Sequence, residues 1–207
     1  MVLLSHNHYD HCDLTTLRAL ARRFSPVFVT PAGNAAHLRK AGARRIEELD
    51  WWEHSSTAPV PVTLARAQHF CARTPFDRNK ALWGGFMIAA GNHRVFFAGD
   101  TGYGPHFRAI RERCGAPDIA LLPIGAFEPR WFMQEIHMNP AEAVQAHLEL
   151  GARQSIAMHF GTFQLTPEGI GEPVTALGAA LRAAGVSAKD FLVLEPGDSF
   201  VADAART

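Results

Sequence analysis

The chain has 207 residues, enough for one domain with a full core and too few for two ordinary ones. Lys+Arg and Asp+Glu are both 20, so the formal net charge is zero, and no run of like charges marks a nucleic-acid groove or an acidic tail. Cys12, Cys71 and Cys114 are too widely spaced for a C-x-x-C knuckle or a disulfide framework, and no apolar run approaches the ~20 residues of a membrane helix. The expectation is a cytoplasmic protein, soluble or at most peripheral to the inner face of the membrane.

In chain order, the apolar stub Val2-Leu3-Leu4-Ser5, of which Val2-Leu3-Leu4 reads as a buried strand, runs straight into His6-Asn7-His8-Tyr9-Asp10-His11. Imidazole nitrogen and carboxylate oxygen are ligands that first-row divalent ions accept, and four such groups within six residues can serve two ions. In an extended segment His6 and His8 point the same way and can share one ion, while a turn aims Asp10 and His11 at a second. A helix is expected over 14–23 behind an Asp13 cap, a strand over 27–30, and a helix over 34–41 that ends at Gly42. Strands follow at 60–66, 85–90, 94–98 and 119–123, with a helix over 105–114 before Gly115. Asn139-Pro140-Ala141-Glu142 is the clearest helix start, with Asn139 as cap, Pro140 in the first turn and Glu142 reaching back, so this helix should run to Leu150. Strands at 155–158 and 191–194 flank a last helix over 173–184, and residues 202–207 read as a frayed tail.

One cluster cannot close two metal shells, and the ends of three other strands offer the rest. His69, Asp100 and His159 each follow an apolar run and precede a loop, which would bring residues far apart in sequence to one rim of a sheet. Each alone is weak evidence, since a strand-end histidine or an aspartate before Thr-Gly is commonly just a turn residue. Together with the first cluster they make an active-site rim.

HNHYDH at 6–11, Ala67-Gln68-His69, FFAGDTGY at 96–103 and MHFGTF at 158–163 resemble the successive motifs of the metallo-β-lactamase fold. ELDWWE at 48–53, NKALWGGF at 79–86, IGAFEPRWFM at 124–133 and HMNPAEAVQAH at 137–147 are similar to the N-acyl-phosphatidylethanolamine-hydrolysing phospholipase D family. The resemblance covers nearly the whole chain. It implies a four-layer αββα sandwich in a single domain spanning 1–207, with two Zn²⁺ ions. His6, His8 and His69 would hold one ion, Asp10, His11 and His159 the other, and Asp100 would bridge them. It further implies hydrolysis of a phosphodiester, an N-acylated phosphatidylethanolamine split to phosphatidic acid and an N-acylethanolamine, with peripheral membrane contact. A water held between the ions would be the nucleophile, Asp10 would orient it, and His137 would lie near the substrate phosphate. From the residues alone, His137 is equally a loop residue beside the Asn139 cap.

Trp51, Trp52, Trp83, Trp131 and Phe132 are read as core or loop packing rather than lipid contacts, and His37, His54, His93, His106 and His147 as surface or packing residues. Three other functions stay open: a lactonase or small-ester hydrolase on the same metals, a noncatalytic metal-bound scaffold, and an inactive incomplete piece. The last reading arises because relatives place several strands before the H-x-H-x-D-H strand. The chain is therefore expected to begin inside its own domain, leaving strand edges that would seek a partner chain, in a homodimer for example.

Overall fold

The computed structural model describes residues 1–201, in the order β1 (Val2–Leu3), α1 (Leu14–Phe24), β2 (Val27–Pro31), α2 (Ala35–Lys40), β3 (Arg45–Leu49), β4 (Val62–Ala65), β5 (Gly85–Ala90), β6 (His93–Phe97), α3 (His106–Cys114), β7 (Ile119–Pro123), α4 (Arg130–Met133), α5 (Pro140–Leu150), β8 (Gln154–Met158), α6 (Glu172–Ala184) and β9 (Phe191–Leu192). The expected tail at 202–207 lies outside the described residues. One sheet has the order β1-β2-β3, all parallel; the other runs β4-β5-β6-β7-β8-β9, antiparallel through β6 and parallel from there. Among the described residues β1 pairs on one side only, with β2.

Period-two alternation sorts the side chains into layers. Phe28 of β2 joins Leu4, Leu17, Ala21 and Leu38 under α1 and α2, whereas Val27 and Val29 face the second sheet and pack with Val62, Leu64 and Phe86. On the far side, Met87, Phe96, Ala120 and Leu122 meet Phe107 and Ile110 of α3, Ala143 and Val144 of α5, and Leu177 and Leu181 of α6. Helices, sheet, sheet, helices: this is the four-layer αββα sandwich expected from the motifs.

Helix ends follow their signals. Asp13 accepts from the Thr15 and Thr16 N–H groups, and Asn139 and Glu142 form a reciprocal capping box at the start of α5. Two elements were not expected. β3 reads Arg-Ile-Glu-Glu-Leu, without an apolar alternation; its carboxylates are instead used locally. Glu48 Oε1 accepts from Ala35 N–H at 2.9 Å and caps α2, a task that Asn34 leaves undone because its amide bonds the carbonyls of Pro31 and Leu82. Glu47 gathers Ser55, Ser56 and Thr57. α4 is a single turn gripped by Arg130, which bonds both Glu142 carboxylate oxygens at 2.9 Å and the His137 carbonyl at 3.0 Å. That grip buries Met133 but turns Trp131 and Phe132 outward, 80% and 58% exposed, so these two are not packing residues.

Candidate metal centre

His6 follows β1, His69 the exit of β4, Asp100 the exit of β6, and His159 directly ends β8. Four strand ends from both sheets thus converge on one rim. The loop approaches are tight. A Cβ on Gly125 would meet the His159 carbonyl oxygen at 2.3 Å, and Gly99, at φ +63°, would meet Ser5 Cβ at 3.0 Å, so the turns beside His159 and Asp100 need glycine. Thr101 clasps the two loops: its hydroxyl donates to the Gly102 carbonyl and accepts from Gln68 N–H at 2.9 Å, with His106 Nε2 at 3.1 Å. Arg73 fastens the metal loop, donating to the carbonyls of Asn7 and Cys12 at 2.9 Å while lying 4.0 Å over the Tyr9 ring.

Two sets of ligand atoms result, each within 4.8 Å: His6, His8, His69 and Asp100, and Asp10, His11, Asp100 and His159. In the first, His8 Nδ1 lies 3.0 Å from His6 Nε2 and 3.3 Å from His69 Nε2, and both Nε2 atoms are 3.8 Å from Asp100 Oδ2. The outer nitrogens are engaged. His69 Nδ1 donates to the Ile136 carbonyl at 2.9 Å, which leaves its Nε2 lone pair for the cluster, and His6 Nδ1 meets Ser5 Oγ at 3.0 Å, so its Nε2 is the nitrogen turned to the cluster. In the second, His11 Nε2 lies 3.3 Å from Asp10 Oδ2 and 3.1 Å from Asp100 Oδ2, while His159 Nε2 is 3.7 Å from Asp10 Oδ2 and 3.4 Å from Asp100 Oδ1.

Burial lowers His6 and His8 and takes His69 down to about 3, against the pull of Asp100, so these imidazoles are neutral. Burial also disfavours charge on His11, but the Asp10 and Asp100 carboxylates outweigh it and push His11 up to about 10. Asp100 is itself deeply buried, which favours the acid, yet His159, His11 and His6 hold it well below the usual carboxylate range. Converging imidazole lone pairs beside a buried carboxylate want a cation. Buried Asp100 Oδ1 and His11 Nε2 are approached by other members of the second set without a well-formed hydrogen bond among the described residues, and a divalent ion in each set would satisfy them. The residues fit a dinuclear centre.

His137 is brought in as well. Its ring lies 5.2 Å from that of His69 and 5.4 Å from that of His159, and its buried Nδ1 has no partner among the described residues. Burial takes His137 down to about 4. A cavity of ≈ 210 Å³ opens beside Asp10, His11 and His159, with Phe160, Leu165 and Ile170 among its lining. Glu168 ties its two walls together through the Phe127 and Glu128 N–H groups at 3.1 and 3.2 Å. Neither Arg73, Thr101 nor Glu168 was singled out in the sequence. All three act on backbone groups of distant segments, and such contacts leave no local pattern. His106 and His147 are buried packing histidines, as expected, the latter 2.8 Å from Ser155 Oγ.

The fold is that of the metallo-β-lactamases, and residues 1–160 match the family model of the Beta-lactamase superfamily domain. The chain belongs to that family. It is 43% identical over 184 residues to an uncharacterised protein of Mycobacterium tuberculosis, covering 86% of this chain and 49% of the relative. It is 37% identical over 174 residues to N-acyl-phosphatidylethanolamine-hydrolyzing phospholipase D 1 of Caenorhabditis elegans, covering 79% and 49%. Among solved structures, Igni18, described as a metallo hydrolase of Ignicoccus hospitalis, is similar at TM-score 0.70 and 25% identity, covering 95% of this chain and 76% of that one. The chain spans about half the length of the curated relatives it matches.

Proposed function

We propose that the chain is a zinc-dependent phosphodiesterase of the phospholipase D type, acting on an N-acylated phosphatidylethanolamine or a similar lipid. The observation that carries this reading is where the apolar surface lies. Among the described residues, seven of the eleven exposed large apolar side chains lie on segments of the site: Tyr9, Phe76, Phe163, Leu165 and Ile170 on loops that bear or follow metal-ligand candidates, and Trp131 and Phe132 on the turn that leads into His137. A soluble substrate needs no such rim; a lipid that must leave a bilayer does, with aromatic and aliphatic groups at the headgroup level and the apolar cavity behind them. Among the described residues no helix is long and apolar enough to cross a membrane, so contact would be peripheral. The similarity to the nematode phospholipase D supports the same substrate class.

His6, His8, His69 and Asp100 would hold one Zn²⁺, and Asp10, His11, Asp100 and His159 the other. When bound, the two ions supply a water of pKa near ~7 and positive charge against the phosphoryl oxygens. Asp10, on the side of the second set that meets the cavity, accepts a hydrogen bond from the attacking water and orients it. His137 Nδ1 bonds a phosphate or leaving oxygen, a role left open by its lack of a partner among the described residues. Water adds at phosphorus and the bond from phosphorus to the ethanolamine oxygen breaks, giving phosphatidate and an N-acylethanolamine. The ring of exposed apolar groups holds the acyl chains, and Glu168 keeps the two cavity walls at a fixed separation. The test is a side-by-side assay of zinc-loaded protein on the N-acylated phospholipid in mixed micelles, a lactone and a penicillin. Turnover led by the phospholipid is expected; turnover led by lactone or penicillin overturns the reading.

A further inference from the structure

A groove of ≈ 450 Å³ lies on another flank, where the exit of β4 meets α3, and the proposed reaction makes no use of it. That volume lies within the ~300–1,000 Å³ range of small-ligand sites. The indoles of Trp51, Trp52 and Trp83 line it. The N–H groups of Trp51 and Trp83 are already spent, donating to the carbonyls of Trp83 and Ala67 at 2.7 and 3.0 Å, so what these rings have left to offer is apolar surface. Arg66 sits 5.0 Å over Trp51, and Arg113 sits 4.7 Å over Trp52. Arg108 and Arg130 each reach a carboxylate within 3 Å, but Arg66 and Arg113, both exposed, form no ion pair or hydrogen bond among the described residues. α3 begins beside the groove with neither a side-chain cap nor an acidic residue in its first turn, which adds partial positive charge to the same wall.

Two unneutralised guanidiniums over aromatic faces, in a recess of this size, match an anion carried on an apolar or planar body. We propose that this groove is a second ligand site, for an organic phosphomonoester or carboxylate whose body packs on Trp51, Trp52 and Trp83 while Arg66 and Arg113 take the anion. The groove shares Gln68 and His69 with the loop of the candidate metal centre, so its occupant would brace the segment that carries His69. Only His69 belongs to both sites, and the inference stands apart from the substrate reading.

The chain has four tryptophans, and Trp131→Phe leaves emission from the three that line the groove. Zinc-loaded Trp131→Phe protein would be titrated, below micellar concentrations, with dodecyl phosphate, phenyl phosphate, inorganic phosphate and the uncharged dodecyl maltoside. A saturable change in emission is expected with at least one phosphomonoester, dodecyl phosphate pointing to a lipid and phenyl phosphate to a small aromatic acid. Inorganic phosphate and the maltoside should bind at least about tenfold more weakly. Adding Arg66→Gln and Arg113→Gln should raise Kd by about tenfold or more with zinc content and thermal midpoint unchanged. The proposal is overturned by the absence of saturation or by equal binding of the maltoside. It is overturned equally by an unchanged Kd in the arginine variant, or by binding that depends on Asp100, through Asp100→Asn, and not on the arginines.

Discussion

The two residue sets that meet at Asp100 are held in different ways. In the first, His6 and His69 are buried, their outer nitrogens are engaged by Ser5 and the Ile136 carbonyl, and burial keeps the rings neutral. In the second, Asp10 is exposed, His11 is half-buried, and His159 sits at φ +59° with an Nδ1 that lacks a partner among the described residues. The cavity opens on this second set. A dry, braced shell suits an ion that stays in place, whereas an open shell leaves room for water and substrate oxygens. The first position is expected to bind more tightly and the second to exchange faster.

Asp100→Ala should erase the difference, because the carboxylate belongs to both sets. Bound zinc after exhaustive dialysis should fall for both positions and turnover by at least ~100-fold, and two retained ions would refute the bridge. His159→Ala should separate the positions: one ion is lost, the other keeps the slow chelator release of the parent, and activity drops steeply. His69→Ala should lose the slowly released ion instead, and identical release curves for the two variants would show the sets to be equivalent.

Ser5→Ala probes the bracing itself. Removing the hydroxyl beside His6 Nδ1 should weaken the slowly released ion by about tenfold and leave the other unaffected, as followed by competition with a chromophoric chelator. Equal weakening of both would mean that the bracing is not local.

The smallest effect on the centre belongs to a remote carboxylate. Burial raises Glu47, but hydrogen bonds from Ser55, Thr57 and Ser56 outweigh it and hold the group at about 2 against an ordinary 4.5. The unfolded chain therefore binds this proton first, so Glu47 stabilises the fold above about 4.5 and loses that contribution as pH falls towards about 2. Glu47→Gln should lower the thermal midpoint by about 2–4 °C at pH 7, with the gap to the parent narrower at pH 3 and zinc retention at pH 7 unchanged.

Much of this was legible in the chain. Strand-then-ligand spacing singled out His6, His8, Asp10, His11, His69, Asp100 and His159, which the fold brings together, because metal chemistry forces polar groups onto the ends of apolar strands, where they stand out. The capping box at Asn139 was equally readable. What escaped was β3, whose edge position tolerates Arg45, Glu47 and Glu48 where a central strand would need apolar side chains, and α4, one turn fixed by the long-range pair Arg130 and Glu142. The outward pose of Trp131 and Phe132 follows from that pair and not from their composition. The clasps made by Thr101, Arg73 and Glu168 depend on distant carbonyl and amide groups, which no spacing rule reports.

The shared carboxylate at the junction of the two sets is tested most directly by anomalous diffraction at the zinc edge from crystals of zinc-loaded protein. Two peaks some ~3.5–4 Å apart are expected, one among His6, His8 and His69, the other among Asp10, His11 and His159, with Asp100 between them. A single peak at full occupancy, or zinc bound away from Asp100, would contradict a dinuclear centre.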